Sequence, residues 1–242
     1  MSLEDLRARL AGSAVLLDFD GTLAPIVARP EDARPVAGTP VALQGLVARA
    51  ALVAIVTGRP SAFVRRLLPV PGLEVAGLYG FESAPPLARE TLEAVEAVAA
   101  TEPGAQVEAK GPSVAVHFRN VEVPVEAGPR LHAGLTVVAA AHGLRLLAGK
   151  RVWELAPAHE GGKGEAVAGL LARGALDAAL YAGDDVADLE AFAVLDRAAD
   201  SGLVVVKVAV LGAETPLALQ EAADLVVEGP GALVALLEEL DR

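Results

Sequence analysis

Six short apolar segments alternate with amphipathic helical segments along most of the chain, and this alternation constrains the fold more than any other feature of the sequence. The segments are short apolar runs without alternation, as expected of strands that are covered on both faces. They occupy residues 14–18, 52–56, 73–78, 179–182, 203–208 and 224–227. Helical patterns lie around residues 40–50, 60–68, 163–173, 186–195, 215–222 and 230–240. This order predicts a doubly wound α/β core, in which helices cover both faces of a parallel sheet.

The middle of the chain follows a different pattern, with two predicted helix–strand–strand units. The first comprises a helix at 87–101 and strands at 106–110 and 113–119; the second comprises a helix at 127–142 and strands at 144–148 and 151–155. The segment SVAVHFR alternates apolar and polar residues, which is typical of a half-exposed antiparallel strand. The segment LRLLAGKRVWEL predicts a hairpin that turns at Gly149 and Lys150.

A Pro-rich segment at 83–88 and a Gly-rich segment at 159–164 flank this middle region. Such segments favour domain boundaries. We therefore expect a core made of residues 1–84 and 160–242, interrupted by an inserted α+β domain of residues 85–159.

Composition excludes several classes of function. The net charge of −12 argues against a nucleic-acid partner, which would need a basic surface. The absence of cysteine excludes disulfides, a thiol nucleophile and thiolate metal ligands. No apolar run approaches the roughly 18 residues of a membrane span, and the charged, amphipathic N-terminal segment is unlike a signal peptide. We expect a cytoplasmic monomer with no membrane partner.

Two acids, Asp18 and Asp20, directly follow the first buried strand. Ligands of open parallel sheets bind beyond the carboxyl ends of the strands. Both side chains project to the same side of an extended chain, where two carboxylates repel each other unless a cation lies between them. The pair suits a bound Mg²⁺ and a nucleophilic carboxylate beside an acid–base partner. The alternative is an ordinary turn, since Asp and Gly favour turns.

A second strand end carries Thr57, Gly58 and Arg59 before Pro60, a residue suited to the first position of a helix. Backbone N–H groups at that helix start, with Thr57, would hold a phosphate oxygen, and we expect Thr57, Gly58 and Arg59 to bind substrate; the alternative is a capped turn. Further along, Lys163 begins a predicted helix, where a cation is unfavourable unless an anion lies nearby. The alternative there is a solvated lysine.

Another strand end carries Asp184 and Asp185, which open another predicted helix. One of them could serve as an N-cap, but two exceed that need. We expect Asp184 to ligate the metal, Asp185 to hold Lys163 or a metal-bound water, and Asp188 to support the site from one turn further along. Phosphoryl transfer needs these groups: an attacking carboxylate, cations that neutralise phosphate oxygens, and an acid for the leaving group.

This order of motifs resembles the haloacid-dehalogenase-like (HAD) phosphohydrolases. The resemblance implies that Asp18 is the nucleophile and forms an aspartyl-phosphate. It implies that Asp20 is the general acid and base, and that its backbone carbonyl binds the metal. Together with Lys163 these are the implied catalytic residues, and the implied Mg²⁺ ligands are Asp18, Asp20 and Asp184.

A narrower resemblance rests on LLDFDGTLAPIVARPEDA, IVTGRP, GLYGFE, VEAKGPSVAVHFRN, ELAP, KGEAV and AGDDVADLEAF. These segments are similar to trehalose-6-phosphate phosphatases, HAD enzymes whose Rossmann-like core carries a C2B-type cap between the second and third motifs. The resemblance implies Mg²⁺-dependent hydrolysis of the sugar phosphate trehalose 6-phosphate. On the cap it implies substrate contacts by Glu108, Lys110, Arg119 and Glu154; the alternative for each of these is a solvated sheet face.

Three positions depart from the family pattern. Tyr79 stands where the family often has the histidine of Gly-His-Gly, and Ala187 and Leu189 replace the Thr and Glu of the last motif. One alternative is therefore a HAD phosphatase for another sugar phosphate or phosphoglycoside, such as sucrose phosphate or mannosyl- or glucosyl-phosphoglycerate. A second alternative is an idle HAD fold that acts as a binding module. The presence of Asp18, Asp20, Lys163 and Asp184 argues against it.

Overall fold

The computed structural model describes residues 3–158 and 162–242, which form two compact units. The first, called the core unit below, comprises Met1–Gly80 and Gly162–Arg242, and the second, the cap unit, comprises Phe81–Gly161. Part of the Gly-rich segment predicted to mark a boundary, residues 159–161, lies outside the described residues. The division of roles between the two domains, at 84/85 and 159/160, stays a prediction.

A six-stranded parallel sheet forms the centre of the core unit. Its strands are β1 Ser13–Leu17, β2 Leu52–Val56, β3 Glu74–Ala76, β8 Ala178–Gly183, β9 Val204–Val210 and β10 Leu225–Val227. Their order across the sheet is β10-β9-β8-β1-β2-β3, and each neighbouring pair is parallel. The sheet confirms the predicted doubly wound α/β class.

Apolar clusters cover both faces of this sheet, which explains why its strands are mostly apolar. In β1, Val15 and Leu17 join one apolar cluster, and Ala14 and Leu16 join the other. The first cluster includes residues of α1 Leu3–Arg7, α2 Thr39–Arg49, α3 Ser61–Leu67 and α9 Gly229–Asp241. The second includes residues of α6 Lys163–Leu171, α7 Asp188–Asp200 and α8 Leu217–Ala222.

The cap unit has a four-stranded antiparallel sheet of order β4-β5-β7-β6. Its elements are α4 Arg89–Ala99, β4 Gln106–Ala109, β5 Val114–His117, α5 Pro124–Ala141, β6 Leu144–Gly149 and β7 Val152–Pro157. Apolar residues of α4 and α5 pack with those of β5 and β7 in a third cluster. Among the described residues, no helix combines the length and the apolar character that crossing a membrane requires.

Three details of the cap unit differ from the sequence-based expectation. The strand β5 is not half-exposed, because Ala115 is buried as well as its apolar neighbours. The hairpin turns one residue later than predicted, at Lys150 and Arg151, since Gly149 still pairs with Val152. The helix α5 begins at Pro124 instead of 127, because proline is well suited to the first turn of a helix.

Candidate active site

The motif after β1 places its two acids in different surroundings. Asp18 is buried, and its Oδ1 lies 2.7 Å from the Lys163 ammonium. The carboxylate of Asp20 is one-third exposed and accepts two hydrogen bonds from Arg59, of 2.8 and 2.7 Å. Each acid is thus paired with its own cation, Asp18 with Lys163 and Asp20 with Arg59. These two pairs reduce the repulsion expected between the neighbouring carboxylates.

Arg59, predicted to bind substrate, is held on several sides. Besides its two hydrogen bonds to Asp20, its Nη1 donates to the Pro30 carbonyl at 2.6 Å, and its guanidinium lies 4.7 Å from the centre of the Phe63 ring. A bidentate Arg–carboxylate pair fixes the orientation of both partners. Arg59 therefore orients Asp20, and its contact with substrate stays a prediction.

The loop after β2 begins with a buried hydroxyl. Thr57 accepts a hydrogen bond from the Arg59 N–H at 3.1 Å, and its own N–H donates to the Ala76 carbonyl at 3.1 Å. Pro60 is the N-cap of α3 and not its first residue, because the helix begins at Ser61. The phosphate contact predicted for Thr57 and Gly58 stays a prediction.

Lys163 is the first residue of α6, and its ammonium is buried between two acids. Its Nζ lies 2.7 Å from Asp18 and 2.6 Å from Asp188. Burial alone would lower the pKa of this ammonium group, but the charges of Asp18 and Asp188, with smaller effects of Tyr181 and Tyr79, raise it well above its ordinary value. These acids are the anions that a cation at a helix N-terminus requires, and the solvated-lysine alternative is wrong.

The Asp188 carboxylate accepts hydrogen bonds from Lys163 and from several neighbouring groups. Its Oδ1 accepts from Lys163 and from the Tyr181 hydroxyl, each at 2.6 Å, and its Oδ2 accepts from the backbone N–H groups of Asp184 and Asp185, each at 2.9 Å. The contact with Lys163 that the sequence suggested for Asp185 is thus made by Asp188. The Asp188 carboxylate is fully buried, so its attraction to the Lys163 ammonium is weakened less by water than that of an exposed acid would be.

The expectation that Asp184 and Asp185 open a helix is wrong. The helix α7 begins at Asp188, and both residues lie in the turn that precedes it. The carboxylate of Asp185 accepts a hydrogen bond from the N–H of Val186 at 2.7 Å. Neither acid is therefore a helix cap, since the N-cap of α7 is Ala187. The metal role predicted for Asp184 stays a prediction.

Asp18, Asp184 and Asp188 form a buried acidic cluster. One carboxylate oxygen of each lies within 4.8 Å of the others. The Thr22 hydroxyl lies 3.3 Å from the Asp18 carboxylate and 3.5 Å from that of Asp184. The Asp20 carboxylate is turned to Arg59 instead, so its predicted metal contact would come through its backbone carbonyl, as the family resemblance implies, and stays a prediction.

This cluster fits a divalent cation that prefers oxygen ligands. Burial raises the pKa of the Asp18 carboxyl well above its ordinary value; Lys163 opposes that rise, and Asp188 and Asp184 add to it. The cluster contains three acids, and Lys163 pairs with two of them, so negative charge is in excess. A hard cation among these oxygens would favour the ionised form of Asp18. The arrangement is consistent with a metal ion.

Two of the four predicted substrate residues of the cap unit are paired with each other. The Lys110 ammonium lies 2.9 Å from the Glu154 carboxylate, and both side chains are buried, at 7% and 6% exposed. The Ser113 hydroxyl donates to the other Glu154 oxygen at 2.7 Å. The alternative of a solvated sheet face is wrong for this pair, and the sequence analysis missed Ser113.

The other two cap residues have separate partners. The Glu108 carboxylate lies 2.8 Å from Nε2 of His117, a residue that the sequence analysis also missed. Strand register could have identified it, because Glu108 and His117 lie on neighbouring antiparallel strands. The Arg119 guanidinium donates to the Lys150 carbonyl at 3.1 Å. The contacts of these residues with a sugar phosphate stay predictions.

Comparison with protein families gives one match over most of the chain. A family model for trehalose-phosphatases matches residues 16–218. The trehalose-phosphate phosphatase of Mycobacterium leprae (strain TN) is 36% identical over 230 residues, which cover 84% of this chain and 52% of that protein. The chain thus spans about half the length of that relative.

Solved structures show the same fold. The C-terminal domain of a Candida albicans trehalose-6-phosphate phosphatase has a TM-score of 0.84 at 21% identity, covering 99% of this chain and 95% of that one. The C-terminal domain of a C. albicans trehalose synthase regulatory protein has a TM-score of 0.69 at 13% identity, covering 97% and 96%. One of these proteins is named as a phosphatase and the other as a regulatory protein. The fold alone therefore does not assign a reaction to this chain, and its side chains must do so.

Proposed function

This chain belongs to the trehalose-phosphatase family, and from that membership and the geometry of its site we propose that it hydrolyses trehalose 6-phosphate to trehalose and phosphate. The observation that carries the proposal is the buried pair of Asp18 and Lys163, beside the acids Asp184 and Asp188. A buried acid and cation at the carboxyl end of a parallel sheet suit phosphoryl transfer better than they suit a binding module.

In the first step, a carboxylate oxygen of Asp18 attacks the phosphorus atom. The bond between phosphorus and the sugar oxygen breaks, and that oxygen takes a proton from the carboxyl group of Asp20. The product is an aspartyl-phosphate on Asp18. Lys163, fixed by Asp188, neutralises negative charge on the phosphoryl oxygens.

In the second step, a water molecule attacks the phosphorus atom of the aspartyl-phosphate. Asp20, now ionised, takes a proton from that water, the bond between phosphorus and the Asp18 oxygen breaks, and free phosphate leaves. Arg59 orients the Asp20 carboxylate for these transfers. Asp18 and Asp20 are both restored, so the cycle balances.

We propose Mg²⁺ as the metal, held by Asp18, by Asp184 and by the backbone carbonyl of Asp20. When bound, it would neutralise charge on the phosphoryl group and favour the ionised nucleophile. The oxygen donors support a hard cation, and Mg²⁺ is the usual partner of carboxylates with phosphates.

The sugar is the less constrained part of the proposal. We propose that Glu108, Lys110, Arg119 and Glu154 of the cap unit contact the sugar phosphate, as the family resemblance implies. Tyr79 and the two other departures keep another sugar phosphate or phosphoglycoside as the alternative. The cytoplasmic location and monomeric state expected from the sequence belong to the same proposal.

The test is phosphate release with Mg²⁺ from trehalose 6-phosphate, sucrose 6-phosphate, glucose 6-phosphate and mannosyl- and glucosyl-phosphoglycerate. We expect trehalose 6-phosphate to be hydrolysed best, and Asp18→Asn to abolish release. Asp196→Asn is the matched control, because Asp196 is an exposed acid of α7 that pairs with Lys207. Faster release from another substrate would change the assignment of the sugar. Release that persists in Asp18→Asn would contradict the mechanism.

A further inference from the structure

The turn that follows β3 holds three consecutive residues in a left-handed conformation. Leu78 has φ 49° and ψ 36°, Tyr79 has φ 53° and ψ 33°, and Gly80 has φ 87° and ψ −2°. Such angles are unfavourable for residues with a side chain, and they persist where the surrounding structure imposes them. This turn ends β3 two residues before the end predicted for the strand, and it fixes the position of Tyr79.

Backbone hydrogen bonds impose that conformation from two sides of the active site. The Leu78 N–H donates to the Arg59 carbonyl and the Tyr79 N–H to the Thr57 carbonyl, each at 3.0 Å. The Tyr79 carbonyl accepts from the Gly162 N–H at 3.4 Å, and Gly162 is the N-cap of α6. Tyr79 is therefore tied both to the loop after β2 and to the helix that begins with Lys163.

The phenol of Tyr79 lies directly against Gly58. A Cβ atom added to Gly58 would stand 2.6 Å from the Tyr79 hydroxyl oxygen and 2.7 Å from the ring carbon that bears it. Because a Cβ atom at position 58 would be too close to the phenol, only glycine at this position allows the Tyr79 ring to lie where it does. Tyr79 is also near enough to Lys163 to contribute to the electrostatic environment of its ammonium group.

We propose that the Tyr79 hydroxyl is a phosphate-binding group, which donates a hydrogen bond to an oxygen of the phosphoryl group held by Thr57, Gly58 and Lys163. This inference rests on the proposed function, because it takes that loop and that lysine as the phosphate site. A phenol O–H is a good donor to an anionic oxygen. The position of the hydroxyl at Gly58 places it beside the backbone predicted to hold phosphate.

The experiment compares Tyr79→Phe and Tyr79→His with the wild-type chain, using inorganic phosphate with Mg²⁺ as the probe. The first variant keeps the ring against Gly58 and removes the donor, whereas the second makes the ring smaller and keeps an N–H donor. Two quantities are measured: the rise of the melting temperature with phosphate concentration, and the inhibition constant of phosphate in the phosphatase assay.

We expect Tyr79→Phe to weaken phosphate binding about tenfold or more, as loss of a hydrogen bond to a charged group predicts. Tyr79→His should bind phosphate more tightly than Tyr79→Phe. Wild-type affinity in Tyr79→Phe would overturn the inference. So would equal losses in both variants with lowered melting temperatures, which would show that Tyr79 only packs on Gly58.

The two proposals can fail separately in this experiment. If phosphate with Mg²⁺ does not stabilise the wild-type chain and does not inhibit it, the phosphate site itself is contradicted and the proposed function fails. If the wild-type chain binds phosphate and Tyr79→Phe binds it equally well, only the role of Tyr79 fails.

Discussion

The hydrogen bond from the Tyr181 hydroxyl to Asp188 predicts a measurable loss of stability in Tyr181→Phe. Both side chains are fully buried, and the two oxygens lie 2.6 Å apart, a length typical of a strong bond to a carboxylate. A hydrogen bond to a charged group contributes roughly 1.5–3 kcal/mol. The ring itself is kept, and with it the edge contact to Phe192 at 6.2 Å between centres. We therefore expect a loss of about 2 kcal/mol, since the substitution removes one oxygen and leaves the packing in place.

The assay is urea unfolding, in which a lower midpoint at an unchanged slope reports stability alone. Heating should show a melting temperature lower by roughly 4–8 °C for a chain of this size. Tyr181→Phe should lose much less free energy of unfolding in an Asp188→Asn background, where the charge is absent. A free energy of unfolding of Tyr181→Phe within about 0.5 kcal/mol of the wild type would contradict a stabilising hydrogen bond, because ordinary surface substitutions have effects of that size.

Three further predictions concern other contacts. Gly183→Ala should lower phosphate release by about tenfold or more, measured as kcat/KM, because the added Cβ would stand 2.1 Å from the Asp188 carboxyl carbon and displace it. Arg130→Gln should lower the melting temperature at pH 7 and have no effect in acid. The hydrogen bond from Arg130 lowers the pKa of Glu102. Its contribution to stability is therefore present above the ordinary pKa of a glutamate and disappears as the pH falls through the lowered pKa. Mg²⁺ should raise the melting temperature of the wild-type chain, and Asp184→Asn should remove most of that rise; an equal rise in both would contradict the role of Asp184.

The core fold could be predicted from sequence because both faces of its sheet are buried. An uninterrupted apolar run identifies such a strand, and the runs at 14–18 and 52–56 lie within one residue of β1 and β2. The end of β3 could not be found in this way. Its apolar pattern runs on to 78, but the left-handed turn that begins at Leu78 is imposed by hydrogen bonds to a distant loop.

The sequence predicted which residues form the candidate site, but only some of the contacts between them. Strand ends identified Asp18, Asp20 and Asp184, because parallel strands bring their carboxyl ends to one edge of the sheet. Lys163 was identified as a cation at the start of a predicted helix. The pairing of Asp20 with Arg59 joins side chains from two different strand ends, and no spacing along the chain encodes it. The role of Asp188 likewise depends on Tyr181, whose hydroxyl cannot be told from that of an ordinary core tyrosine in the sequence.

In the cap unit, the antiparallel sheet was predictable and its buried polar contacts were not. Alternation along the sequence indicates which residues share a face, but it does not show that Lys110 and Glu154 are buried as a pair. Burial of charges depends on what covers them, and that is a property of the folded structure.

The aspartyl-phosphate intermediate can be detected by mass spectrometry of the chain, quenched in acid during turnover of trehalose 6-phosphate with Mg²⁺. The proposed mechanism predicts one added phosphoryl group, located on Asp18, and none in Asp18→Asn. Phosphate release from trehalose 6-phosphate without a phosphoryl group on Asp18, or with one on another residue, would contradict it.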